Sequence, residues 1–291
     1  MSYTSDVFKQ SYDQQGSVVV PSLLDDALDD LRVASERVVD RTRAGLWPHR
    51  RTVGRQFPPY GDDHPDSWGV QHVMHPDLGE SSFGNWYTSD ALVGAIQTLL
   101  GCTEDELQME LFNMLINPTA HEFALRWHRD DVRESASEDE ERSSLALWHH
   151  GIQWNTALYE DSCLFVVPGS HRLPRTPQQR ELSSSMEPPD DPMNMPGAYQ
   201  VTLRVGETVF YNSNILHCAV YQSSKKRVTL HACMGSTRGG SARARNILQH
   251  DLGWMTEPRF RDGLSDRGKA MLDRLIAMKQ NAGEVGYSLD N

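Results

Sequence analysis

The sequence predicts a mainly β protein, a sandwich or barrel with helices on either side of it, and two patterns predict this class. From residue 108 the chain reads QMELFNMLINP, FALRWHRD, GIQWNTALYE, CLFVVPGSH, YQVTLRVGETVFYN and KRVTLHACMG. These are short β-rich runs separated by turn residues, the texture of an all-β core. Before and after that stretch, apolar residues recur at helical spacing instead. Taken in order, SVVV opens as a short strand, and Pro21-Ser22 punctuates it. Ser22 is a candidate N-cap for a helix with Leu23, Leu24, Leu28, Leu31 and Val38 at helical spacing. PHRRTVGRQFPPYGDDHPDSWG reads as a loop, rich in Pro, Gly and Asp; its aromatic and basic residues suit a cover over a substrate. SDALVGAIQTLLG is a capped helix that stops at Gly101. SASEDEERSS, residues 135–144, reads as a charged insertion, a flexible loop or lid. SDRGKAMLDRLIAMKQNAG closes the chain as a helix. The 291 residues fit one domain, with a helical part over about 1–107, the β core over about 108–238 and a helical extension over about 239–291.

Composition narrows the function classes. A net charge of −12 and a pI near 5.4 argue against a nucleic-acid partner, because phosphate binding needs a basic face. The four cysteines are scattered, with no C-x-x-C pair. That fits reduced intracellular thiols better than a disulfide framework or a zinc site. The N-terminal stretch has neither a basic n-region nor an apolar run, and no segment has the apolar length that spans a bilayer. These features predict a cytoplasmic protein that acts on a small molecule, with no membrane or nucleic-acid partner.

The chemistry is concentrated in RWHRDD, residues 126–131. On an extended chain, residues i and i+2 share a face, so His128 and Asp130 can aim at one point while Arg129 aims away. An imidazole and a carboxylate converging in this way form half of a metal site. A second imidazole is available at His217, at the end of the apolar run after GETVFYN. Two histidines and one carboxylate with open positions opposite is the facial arrangement of non-haem Fe(II) oxygenases; a structural zinc site would be closed by a fourth protein ligand. Ten residues on, Arg227 opens a strand on which Arg227, Thr229, His231 and Cys233 share a face. A guanidinium matches a carboxylate in two hydrogen bonds, which suits the distal carboxylate of 2-oxoglutarate, and the Thr229 hydroxyl could add a donor.

The ordered set H-x-D, VVPGSHR, G-E-x-V-F-Y leading to a histidine, and an arginine opening the next strand resembles the phytanoyl-CoA dioxygenase family. GSVVVPSLLDDALDDLR and WGVQHVMHPDLGESSFGNWYTSDALVGAIQTLLG look like its fungal, secondary-metabolism members. The resemblance covers most of the chain. It implies a double-stranded β-helix, a jelly-roll or cupin-like barrel, with Fe(II), 2-oxoglutarate and O₂. It further implies iron ligands at His128, Asp130 and His217, Arg227 as the cosubstrate clamp, and His171 lining the site. Where many members carry Asn-Gly before the PGSH strand, this chain reads Asp161-Ser162. Asn113 and Asn155 are candidate amides toward the cosubstrate, although periodicity leaves open which face of the strand around residue 155 is inside. Trp68, Gln71 and His72 are candidates for substrate contact, and Arg50, Arg51 and Arg55 for holding a substrate carboxylate. The expected activity is oxidation of an unactivated C–H of a small molecule, by hydroxylation, desaturation or ring closure, with release of succinate and CO₂. Two other readings stay open: an iron oxidase on the same fold that does not need 2-oxoglutarate, and a non-enzymatic cupin-like binding barrel.

Overall fold

The structure, a computed structural model, describes residues 5–58, 60, 64–147, 150–250 and 252–283. The chain runs α1 (Ser5–Gln15), β1 (Ser17–Val20), α2 (Leu28–Arg43), β2 (Arg50–Thr52), β3 (Ser67–Val70), α3 (Ser81–Tyr87), α4 (Asp90–Leu100) and β4 (Leu107–Ile116). It continues through β5 (Phe123–Ala124), α5 (Glu138–Leu147), β6 (Gly151–Ala157), β7 (Leu164–Val167), α6 (Pro177–Ser183), β8 (Tyr199–Gln200), β9 (Thr208–Tyr211), β10 (Leu216–Tyr221) and β11 (Val228–Ser236). It closes with α7 (Gly240–Leu248), α8 (Pro258–Asp262) and α9 (Asp266–Ala282). Strands β1-β9-β6-β11-β4-β3-β2 form one antiparallel sheet and β5-β10-β7-β8 a second. Together they make the expected double-stranded β-helix. Helices carry more residues than strands do, but they lie outside the barrel.

Side-chain alternation sorts the chemistry from the core. On β6, Trp154 points outward into the main apolar cluster, while Gln153 and Asn155 point into the barrel. That answers the question periodicity left open. On β11, Val228, Leu230, Ala232 and Met234 face outward and His231 inward. On β10, Leu216 and Cys218 pack outward against Trp127, and His217 and Ala219 turn in. A bulge in the β4–β11 pairing between Ala232 and Met234 gives β4 an extra residue. It shifts the phase, so Leu107 and Met109 before it, and Phe112, Met114 and Ile116 after it, all reach the outer core.

The outer face is covered by helices whose apolar stripes match it. Ser265 caps α9 by accepting from Gly268 N, and Met271, Leu272, Leu275 and Met278 bury one face against β4 and its neighbours. Each such side chain contributes about 1.5–3 kcal/mol on full burial. Ser89 caps α4, which ends at Gly101 in the left-handed region (φ 61°), as the sequence predicts.

Three local readings change. Ser22 does not cap a helix: its φ is 58°, whereas an N-cap needs an extended backbone, and α2 begins only at Leu28, after a short 3₁₀ turn. Helix α1 was not anticipated. The insertion at 135–144 is not a free lid. It forms most of α5, and its Glu141 is fully buried, accepting from Arg175 N at 2.9 Å and from the Arg175 and Arg180 guanidinium groups.

Candidate metal centre

His128 lies just beyond β5, where it makes a two-way backbone bridge with His217, N–H to O at 3.0 Å in each direction. The bridge sets the two side chains next to each other, with ring centroids 4.2 Å apart. Asp130 follows on the same face: its Oδ1 lies 3.6 Å from His128 Nε2 and 3.7 Å from His217 Nε2. The three candidate ligand atoms all fall within 4.8 Å of one another.

The orientation of each group is fixed from behind. His128 Nδ1 is 2.8 Å from the Arg126 carbonyl and His217 Nδ1 is 2.8 Å from the Ile215 carbonyl. A carbonyl can only accept, so at His217 Nδ1 carries the proton and the Nε2 lone pair faces the centre, the tautomer a metal needs; His128 Nδ1 also has the Gln56 side-chain amide nitrogen 3.0 Å away. Gln153 donates to Asp130 Oδ2 at 2.7 Å and so orients the carboxylate. Burial, and then the neighbouring His217, hold His128 neutral well below the usual histidine range. Between the ligands, Arg129 turns away and donates to the Ser170, Asn214 and Leu173 carbonyls, pinning the loop that carries the His-x-Asp segment.

The triad opens onto a cavity that Tyr60, Trp68, Tyr221 and His231 also line. Arg227 lines it and is 3 % exposed. Its Nε donates to Asp161 Oδ2 at 2.8 Å, and its guanidinium carbon lies 4.6 Å from the Tyr221 ring centroid. Burial opposes charge on Arg227, but the Asp161 carboxylate outweighs it and keeps the guanidinium firmly protonated. Nη1 and Nη2 are buried with no partner. Two orphaned donor nitrogens on a buried cation are costly unless an acceptor arrives, and a carboxylate matches them in geometry and charge.

Of the other candidates, Asn155, Trp68 and Arg51 line this cavity. Asn155 Oδ1 accepts from His231 Nδ1 at 2.8 Å. The rest are placed elsewhere, each for a visible reason. The Thr229 hydroxyl is taken by Asp161 Oδ2, so it steadies the counter-ion of Arg227 and is not a free donor. Asn113 sits between the cavity-lining Leu111 and Leu115, but its Oδ1 accepts from His72 N at 3.0 Å. His72 itself has φ 60° and packs its ring against Trp254 and His49. Gln71 braces the backbone between His49 and Trp47. Arg50 turns to Ser67 Oγ and the Pro65 carbonyl, and Arg55 is exposed. His171 lies against Gly16, its Nε2 3.2 Å from the Asp13 carbonyl, and so packs the first helix onto the barrel outside the cavity. Sequence reasoning missed Asp161 and the orienting role of Gln153. Asp161 stood out as a departure from the family pattern, and Gln153 shared a face with Asn155. Neither signal named a partner.

A double-stranded β-helix holding two histidines, one carboxylate and a carboxylate-ready arginine in one cavity defines the class of iron- and 2-oxoglutarate-dependent enzymes. The family model for phytanoyl-CoA dioxygenase (PhyH) matches residues 12–229, and the chain belongs to that family. Among solved structures, AviO1 from Streptomyces viridochromogenes Tue57 superposes with a TM-score of 0.57 at 16% identity, over 81% of this chain and 96% of that one. The non-haem α-ketoglutarate-dependent epimerase SnoN from nogalamycin biosynthesis gives 0.55 at 17%, over 80% and 81%. EctD from S. alaskensis, solved with 2-oxoglutarate and 5-hydroxyectoine, gives 0.55 at 16%, over 80% and 76%. No curated protein matches by sequence. Among the described residues, no helix is long and apolar enough to cross a membrane.

Proposed function

We propose that this enzyme oxidises an unactivated C–H bond of a small organic molecule, an amino acid or a secondary metabolite, in a cytoplasmic setting. For hydroxylation the balance is R–H + O₂ + 2-oxoglutarate → R–OH + succinate + CO₂; desaturation and ring closure are the other outcomes open to the same oxidant. Iron with its cosubstrate supplies, when bound, the power to take a hydrogen atom from such a bond. The residues of this chain supply position. His128, Asp130 and His217 hold Fe(II) through two Nε2 atoms and one carboxylate oxygen, with Gln153 keeping the carboxylate turned inward. Arg227 takes the distal carboxylate of 2-oxoglutarate on Nη1 and Nη2, and Asp161 fixes its orientation through Nε. Asn155 and Trp68 bound the space beside them.

The observation that carries this reading is the pair of orphaned Arg227 donors in the cavity that also holds the triad. Anaerobic titration with Fe(II) and then 2-oxoglutarate tests it. The expected result is a visible metal-to-ligand charge-transfer band that is lost or much weakened in Arg227→Ala. Bound iron with no band would favour the 2-oxoglutarate-independent oxidase, and absence of iron binding would sink the enzyme reading.

A further inference from the structure

The cavity holds more positive charge than cosubstrate binding uses. Arg51, Arg227 and Arg243 all line it. Arg243 is neutralised by the fully buried Glu110 in a two-point pairing, and Arg227 by Asp161. Arg51 differs. Among the described residues it has no carboxylate within ion-pair distance, its side chain makes no hydrogen bond, and its Nε is buried without a partner. Its guanidinium carbon instead lies 4.9 Å from the Tyr60 ring centroid and 5.2 Å from that of Trp68. Contacts with ring faces orient a guanidinium but leave its in-plane N–H edge free for an acceptor.

The backbone accounts for why Arg51, and not its neighbour, reaches the cavity. Arg50 and Arg51 pair in continuous register with Val70 and Gly69, and neighbours on a strand face opposite ways. The stem of Arg51 then crosses Gly69, where a Cβ would come 3.0 Å from Arg51 Cδ. Trp68, which Arg51 rests on, is 5.2 Å from Tyr221, which Arg227 rests on. The two arginines therefore stand at the two ends of one aromatic wall. Two histidines that also line the cavity are uncharged: burial, with Arg51 adding to it, holds His231 well below the usual range and His250 at about 3.

We propose that Arg51 is the substrate anchor, holding the carboxylate of a small organic acid whose apolar body lies along Trp68 and Tyr221. This rests on the oxygenase reading of the cavity, with Arg227 engaged by 2-oxoglutarate. The test uses the protein loaded anaerobically with Fe(II) and saturating 2-oxoglutarate. The probes are benzoate, phenylacetate and 3-phenylpropanoate, each against its neutral amide, followed by tryptophan fluorescence and calorimetry. At least one acid is expected to bind tenfold or more tightly than its amide. Arg51→Gln should erase that preference while leaving the affinity for 2-oxoglutarate within about twofold. Gly69→Ala, which keeps the charge but displaces the stem, should reduce the preference. If no acid is preferred over its amide by the wild type, or the preference survives in Arg51→Gln, the proposal is wrong. A tenfold loss of 2-oxoglutarate affinity in Arg51→Gln would also overturn it, by making Arg51 a cosubstrate clamp. Failure of the charge-transfer band in the wild type would instead remove the oxygenase reading and this proposal with it.

Discussion

Replacing Asp161 with alanine should make the enzyme less stable yet more responsive to 2-oxoglutarate. Asp161 is 6 % exposed and accepts from Arg227 Nε at 2.8 Å, from Cys163 N at 2.8 Å and from the Thr229 hydroxyl. Its loss leaves the Arg227 guanidinium buried with no counter-charge, at a cost of about 3–5 kcal/mol. About 3 kcal/mol corresponds to a fall in Tm of roughly 6–12 °C for a chain of this size. Two effects then compete when 2-oxoglutarate binds. Its carboxylate supplies the missing counter-charge and recovers part of that cost. Against this, an untethered Arg227 must be ordered, at about 0.5–1.5 kcal/mol. The first term is the larger, and a net gain of about 2 kcal/mol is roughly 30-fold in affinity. Thermal melts of the metal-loaded protein, run anaerobically with and without 2-oxoglutarate, measure both parts. Asp161→Asn, which keeps an acceptor for Nε, should fall between wild type and alanine. The reasoning fails if Asp161→Ala melts within about 1 °C of wild type, or if 2-oxoglutarate raises its Tm less than it raises that of the wild type.

Three further outcomes follow from particular contacts. Gln153→Ala removes the 2.7 Å bond to Asp130 and should weaken Fe(II) binding about 10–100-fold, read by competition with a chelator; unchanged affinity would show that Asp130 needs no bracing. His72 is 4 % exposed, and burial, then His49, lower its pKa to about 3 from an ordinary 6.5. Between those values the unfolded chain binds the extra proton, so stability falls as pH drops from about 6.5 toward 3, by up to about 1.4 kcal/mol per unit. His72→Asn tolerates the left-handed backbone and should flatten the pH dependence of the urea midpoint between pH 6.5 and 5; an unaltered slope would assign it to other groups. Gly16→Ala drives a Cβ into the His171 ring at φ 77°. It should cost at least about 1–2 kcal/mol from the backbone alone, and His171→Ala in the same chain should recover the steric part, as compared in denaturant melts.

What could be read from the sequence, and what could not, divides along the range of the interaction. The His-x-Asp pair was legible because period-2 alternation places both side chains from local geometry alone, and the structure brings their ligand atoms to a common point with that of His217. The same rule put Arg227 and Thr229 on one face, which is true as far as it goes. It could not say that Asp161, 66 and 68 positions away, arrives from the turn before β7 and occupies both Arg227 Nε and the Thr229 hydroxyl. Asn113 failed in the same way: its strand face was right, but the left-handed turn at His72 claims its oxygen. Composition misread α5 for a related reason. A run of acidic residues looks solvated unless its cations are known, and those of Glu141 lie 34 and 39 positions ahead. Faces follow from local sequence, while partners follow from topology. The candidate site depends on both: its candidate metal ligands are a matter of faces, and its buried arginine is a matter of which partner leaves Nη1 and Nη2 open. Asp161, which the sequence marks out before the PGSH strand, is therefore best understood as a partner choice. It fixes one edge of Arg227 and leaves Nη1 and Nη2 without a partner.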